Sequence, residues 1–146
     1  MTLPPNFSIV TLGVADIDRS AEFYRSLGWE QRGDTAAGIT WFKTSGTWLG
    51  IFGYDALAED VSLPARPATE LPSYRGITLA LNMNTEAEVD QAFAHVASAG
   101  APIVKQPERA DWGGYSGYFA DPDGHRWEIA YAPGFHVDED GRIEIK

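Results

Sequence analysis

The chain repeats itself. Val10, Leu12, Val14 and Asp16 match Leu79, Leu81, Met83 and Thr85 at one constant spacing of 69 residues (79 − 10 and 85 − 16). A repeat of this length means that one supersecondary unit is used twice, and it fixes the fold more tightly than any local propensity. In each copy an alternating apolar strand runs into a helix opened by a good N-cap, Asp16 or Thr85, and closed by a glycine, Gly28 or Gly100. Thr85 is followed three residues on by Glu88, the pattern of a capping box. Ile17, Ser20, Phe23, Tyr24 and Leu27 recur at helical spacing in the first copy; Val89, Ala92, Phe93 and Val96 do so in the second.

Three strands are expected after each helix. In the first copy they are Trp29 to Gly33, Thr40 to Thr44 and Trp48 to Tyr54, the last two joined by Ser45-Gly46. In the second, Ile103 to Lys105 precedes the hairpin Trp112 to Pro133. That hairpin turns on Asp121-Pro122-Asp123-Gly124, where proline presets φ, aspartate bonds the turn backbone and glycine takes the last position. The expected class is α+β: two βαβββ modules forming a curved, open mixed sheet with an internal cleft on the face away from the helices. Module one covers 7–54 and module two 75–133. A loop from 55 to 74 connects them, read as a linker or lid with one helical turn near Ala56-Leu57. The polar tail 134–146 carries an edge strand at Arg142 to Ile145.

Strand parity then assigns faces, because successive side chains point to opposite sides. Val10, Leu12, Val14, Leu49, Ile51, Ile77, Leu79, Leu81, Trp127 and Ile129 are expected to face the helices. Ile9, Thr11, Gly13, Trp48, Gly50, Phe52, Thr78, Ala80, Asn82, Arg126, Glu128 and Ala130 are left for the cleft. Trp48 and Phe52, with Trp112, Tyr115 and Tyr118 from the second-module hairpin and Tyr54 at the rim, supply aromatic walls suited to a planar or cationic guest. Trp127, Phe23 and Phe119 are assigned to the core or a dimer interface.

Composition excludes several function classes. The net charge of −10 disfavours nucleic acid and anionic membranes. The absence of cysteine removes disulfides, thiolate chemistry and cysteine-ligated metals. No apolar run reaches the length of a membrane span, and MTLPPNF lacks a basic-then-apolar leader, so a cytoplasmic location is expected. No Gly-x-Ser-x-Gly elbow, phosphate loop or dinucleotide fingerprint is present. The glycine-rich run Gly113 to Gly117 is read as a bulge or close strand approach. His95, His125 and His136 are assigned to solvent, the turn and the tail.

The residues Val14-Ala15-Asp16, Ser20, Phe23-Tyr24, Leu27-Gly28, Ala99-Gly100 and Phe119-Ala120-Asp121-Pro122-Asp123-Gly124-His125, with Trp127-Glu128, resemble the vicinal oxygen chelate superfamily. That group includes glyoxalase I, extradiol dioxygenases, fosfomycin resistance enzymes and bleomycin resistance proteins. The resemblance runs from Phe7 to Pro133. It implies four metal-ligand positions, on the first and last strand of each module, which fall here on Ile9, Gly50, Thr78 and Glu128. Only Glu128 is an ordinary ligand, whereas a catalytic zinc or facial-triad iron needs three. The expectation is therefore no cofactor and a metal-free homodimer similar to the bleomycin resistance branch, binding an aromatic or cationic small molecule. The residues expected to bind it are Thr11, Trp48, Gly50, Phe52, Thr78, Asn82, Trp112, Tyr118, Arg126 and Glu128. A lyase or isomerase of the glyoxalase type or another enzyme, using Glu128 with an atypical metal site or, without a metal, as acid or base, and an accessory domain with a vestigial cleft are the alternatives.

Overall fold

The computed structural model describes residues 2–70 and 74–146 of the chain. They form two compact units, one over 1–65 and the other over 66–146. Each unit contains a four-stranded mixed sheet.

In unit one β1 (Ile9–Val14) is followed by α1 (Ile17–Ser26), β2 (Glu30–Arg32), a 3-10 turn (Thr35–Ala37), β3 (Ile39–Lys43), β4 (Trp48–Gly53) and α2 (Tyr54–Asp60). The sheet order is β1-β4-β3-β2, with β1 parallel to β4 and the other pairs antiparallel. In unit two β5 (Leu79–Met83) leads into α3 (Glu86–Ser98), β6 (Ile103–Arg109), β7 (Tyr115–Ala120) and β8 (Arg126–Tyr131). Its order, β5-β8-β7-β6, repeats the first with the same parallel outer pair. The 69-residue repeat is thus the βαβββ module used twice. The described strands also include a C-terminal hairpin of β9 (Phe135–Val137) and β10 (Ile143–Ile145).

Local sequence accounts for these elements. The Asp16 side chain accepts the Arg19 amide at the start of α1. Thr85 and Glu88 close a reciprocal capping box at the start of α3. Such caps satisfy amide donors that a helix leaves unpaired in its first turn. Gly28 and Gly100, at φ +90° and +87°, let the chain leave each helix in the left-handed conformation.

The parity assignment holds on the strands. Leu12, Val14, Leu49, Ile51, Trp127 and Ile129 are buried, and Tyr24 of α1 packs on Phe42 of β3 with ring centres 5.6 Å apart. Phe119 stacks on Trp127 in the core of unit two. Phe23, assigned to the core or a dimer interface, is half-buried and meets Tyr24 edge-on.

Four details depart from the sequence reading. The strand expected to include Ile77 begins at Leu79, so Ile77 is 67 % exposed instead of facing the helix. Gly76, at φ +76°, turns the chain just ahead of it. The connecting segment is more regular than a loop with a single turn. Tyr54, expected to end β4, instead opens α2, and a second 3-10 turn covers Ala68–Glu70. Residues 71–73 of that segment lie outside the described residues. β6 runs on to Arg109 through two register shifts, four residues past its expected end. The tail gains β9 as partner for its edge strand.

Candidate functional site

Each unit presents a sheet face opposite its principal helix, and the strand residues left for the cleft by parity, Thr78 excepted, fall on these two faces. In unit one Gly50 sits at the centre. Its register partners are Thr11 on β1 and Trp41 on β3, and Trp48 and Phe52 flank it two residues away on its own strand. A Cβ at Gly50 would stand 2.9 Å from the Thr11 hydroxyl oxygen, so glycine is what allows Thr11 to lie against β4. Trp41, Trp48 and Phe52 are half-buried around this floor. Trp41 was not among the expected site residues. The signal for it was present: in Ile39-Thr40-Trp41-Phe42-Lys43 the buried residues are Thr40 and Phe42, which puts Trp41 on the other face. At the far end of β1, α2 lays Tyr54 and Leu57 against Gly13, where a Cβ would meet their side chains at 3.1 and 3.4 Å. This helix, expected only as one turn near Ala56-Leu57, therefore covers part of this face, and the lack of a side-chain N-cap hydrogen bond at Gly53 explains why its start at Tyr54 was not legible.

In unit two the corresponding face is polar. Glu128 on β8 is flanked by Ala80 on β5 and Tyr118 on β7. The Tyr118 hydroxyl donates a hydrogen bond to Glu128 Oε2. That bond, with burial as a second cause, pushes the Tyr118 pKa up to about 12, so the phenol stays neutral and a donor. Beyond Tyr118 the register places Lys105 of β6, which pairs with Glu108 at 2.8 Å. Asn82 and Arg126 lie one row to either side of Glu128. Arg126 reaches back to the Gly124 carbonyl at 3.5 Å.

Two expected residues sit elsewhere. Thr78 precedes β5 and is exposed. Trp112 lies in the turn before β7, 65 % exposed, with its indole packed over Gly114.

The turn beside Glu128 is held by Asp121, which is 2 % exposed and accepts the backbone N–H groups of Asp123 and His125 at 3.0 and 2.8 Å. The glycine run contributes a close approach at Gly117, where a Cβ would stand 2.6 Å from the Lys105 carbonyl and 2.7 Å from the Phe93 ring.

At the four ligand positions that the resemblance implies, the donor chemistry does not suit a metal centre. Ile9 and Gly50 bring no side-chain donor, Thr78 brings a hydroxyl, and the carboxylate of Glu128 is engaged by a phenol. A three-ligand zinc or iron site needs imidazole or carboxylate at two more of them. Among the described residues no group of three His, Cys, Asp or Glu converges elsewhere.

A duplicated βαβββ module, with parallel outer strands and a site face on each copy, defines a vicinal-oxygen-chelate-type fold. The chain belongs to the Glyoxalase/Bleomycin resistance protein/Dioxygenase superfamily, whose family model matches residues 6–129. A metallothiol transferase FosB from Shouchella clausii is 27 % identical over 121 residues, 82 % of this chain and 75 % of that protein. Among solved structures, a glyoxalase-related enzyme from Fulvimarina pelagi superposes with a TM-score of 0.81 at 30 % identity, covering 97 % of this chain and 98 % of that one. A glyoxalase/bleomycin resistance protein/dioxygenase from Nocardioides gives 0.76 at 25 % identity, over 92 % and 88 % of the two chains. Among the described residues no helix is long and apolar enough to cross a membrane.

Proposed function

We propose that this protein binds a small aromatic or cationic organic molecule without a resident metal, as a cytoplasmic homodimer. The observation that carries the reading is the Tyr118–Glu128 hydrogen bond. The one carboxylate at a family ligand position has a neutral phenol as its partner, in a chain whose other three positions offer no imidazole or carboxylate. Aromatic side chains around Gly50 support the ligand class, since flat rings stack on such surfaces and cations are drawn to their faces. In this reading the unit-one face, with Thr11, Gly50, Trp48 and Phe52 and now Trp41, offers an apolar and aromatic binding surface. The unit-two face, with Asn82, Tyr118, Arg126 and Glu128, offers polar contacts of its own, and Thr78 and Trp112 of that unit are exposed.

The second reading is a metal-using enzyme, favoured by the similarity to a protein named metallothiol transferase. A metal-free lyase or isomerase using Glu128 is its variant. One pair of measurements separates them: metal content of the purified protein, and thermal shifts with proflavine for wild type and Glu128→Gln. Sub-stoichiometric metal, with a shift lost in Glu128→Gln, is the expected outcome. One zinc, nickel, manganese or iron per chain, lost in Glu128→Gln, would establish the second reading instead.

A further inference from the structure

A groove of about 420 Å³ lies on the helix side of unit two, on the opposite face of the sheet from Glu128. Three features of the chain create it. Asp90, Phe93, Ala94 and Ala97 fall on one face of α3, and the two alanines leave room where longer side chains would fill it. β6 is the edge strand, and its two register shifts, with Pro107 between Gln106 and Glu108, carry it away from regular pairing. Gly117 then lets the Phe93 ring and the β6 backbone close over β7, making the floor.

Bulges and proline break the ladder that an added strand would need, so this edge is unsuited to an extended peptide. The volume falls in the range of small-molecule sites, about 300–1,000 Å³.

The polar groups at the rim define the head group of a guest. Tyr115 donates its hydroxyl proton to Asp90 Oδ1 at 2.7 Å, which leaves the phenol oxygen and the second Asp90 oxygen as acceptors. The nearest cation, Arg109, is committed. It binds Glu86 through two nitrogens at 3.1 and 2.6 Å, and its guanidinium lies 5.5 Å from the centre of the Tyr115 ring. The Asp90 carboxylate, the Tyr115 phenol oxygen and the Gln106 amide oxygen, beside an apolar floor of Phe93, Ala94, Ala97 and Pro107, suit a hydrogen-bond-donating cation on an apolar body. We infer that this groove is a second small-molecule site, selective for primary organic ammonium compounds and independent of the Glu128 face.

The test is a titration of isotope-labelled protein with benzylammonium chloride followed by amide chemical shifts. Benzyl alcohol serves as the neutral control and ammonium chloride as the charge-only control. Saturable shifts centred on Asp90, Ala94, Ala97 and Tyr115 are expected, at least about tenfold weaker with benzyl alcohol and absent with ammonium chloride. Ala94→Phe, at an exposed helix position, fills the groove and abolishes these shifts. Asp90→Asn keeps an acceptor for Tyr115, removes the charge and weakens binding about tenfold. Glu128→Gln leaves them unchanged, which separates this site from the function proposed above. Three outcomes would each overturn the inference: shifts mapping elsewhere, ammonium chloride reproducing them through general attraction to a −10 chain, or Ala94→Phe binding like wild type.

Discussion

Tyr118 and Glu128 face each other as register partners on β7 and β8, and the phenol donates its proton to the carboxylate. In the metal-free reading proposed above, this contact is what occupies the carboxylate. A carboxylate with a phenol partner already has its charge met by a neutral donor, and the tyrosine is correspondingly harder to ionise.

The first prediction concerns that tyrosine. Its pKa, about 12 against an ordinary value of 10, is raised chiefly by the bond to Glu128. A group whose folded pKa is raised stabilises the fold fully below the unfolded value. That contribution is lost as the pH climbs from about 10 to 12. Absorbance titration near 295 nm should show one late-ionising tyrosine that moves towards its ordinary value in Glu128→Gln. Urea midpoints should fall over the same pH window in wild type and less steeply in Tyr118→Phe. A wild-type titration without a late component would remove the basis for treating the pair as a unit.

Asp121 supports the second. It is buried and satisfies two backbone amides of the turn that leads to Glu128. Asp121→Ala leaves two donors unmet and should cost about 2–4 kcal/mol, whereas Asp121→Asn, whose single oxygen can accept both amides as Asp121 Oδ1 does, should cost less than about half that. Denaturant unfolding of the three proteins provides the comparison; equal losses would mean that charge matters here more than acceptance.

How much of this could be read from the sequence depends on whether a residue's role is local. The modules were legible because caps, glycines and alternation act over a few residues, so a spacing of 69 exposed the duplication directly. The Asp-Pro-Asp-Gly turn was legible for the same reason. The missing parts depend on contacts made at a distance. α2 has no capping side chain, and its tie to the fold is Gly13, some forty residues earlier. The start of β5 is set by where its pairing with β8 begins, at Leu79 opposite Trp127, which apolar alternation alone overran. Trp41 required only the parity argument already applied to Trp48. The Tyr118–Glu128 pair required the register of β7 on β8, which a turn motif does not supply.

The third prediction tests Gly50 as a floor. A Cβ there would press on the Thr11 hydroxyl oxygen at 2.9 Å, and threonine is stiff at χ1. Gly50→Ala should cost about 1–2 kcal/mol, the range of an overpacked site. Thr11→Ala removes the opposing atom, so the double variant should be more stable than the sum of the singles implies, by about 0.5–1 kcal/mol. Strict additivity in that cycle would show that the two positions do not touch in solution.

The last prediction concerns the C-terminal hairpin. Asn84 follows β5 and meets Val137 of β9 through both ends of its amide: Nδ2 donates to the Val137 carbonyl at 2.8 Å, and Oδ1 accepts the Val137 N–H at 2.9 Å. A side-chain amide used this way imitates one rung of a β-ladder, and it ties residues far apart in sequence. The equivalent position in unit one, 69 residues earlier, is Ala15, which cannot do this. The hairpin is otherwise small, three residues a side, and a two-stranded hairpin is at best marginally stable without outside support. Asn84→Ala should therefore loosen the hairpin while leaving both modules intact. The expected result is faster amide exchange at Val137 and at its pairing partner Ile143, with the amides of β7 and β8 unchanged. Asn84→Asp, which keeps the acceptor and loses the donor, should fall between them. If exchange accelerates across β8 as well, the hairpin is part of the cooperative unit and Asn84 stabilises the whole of unit two.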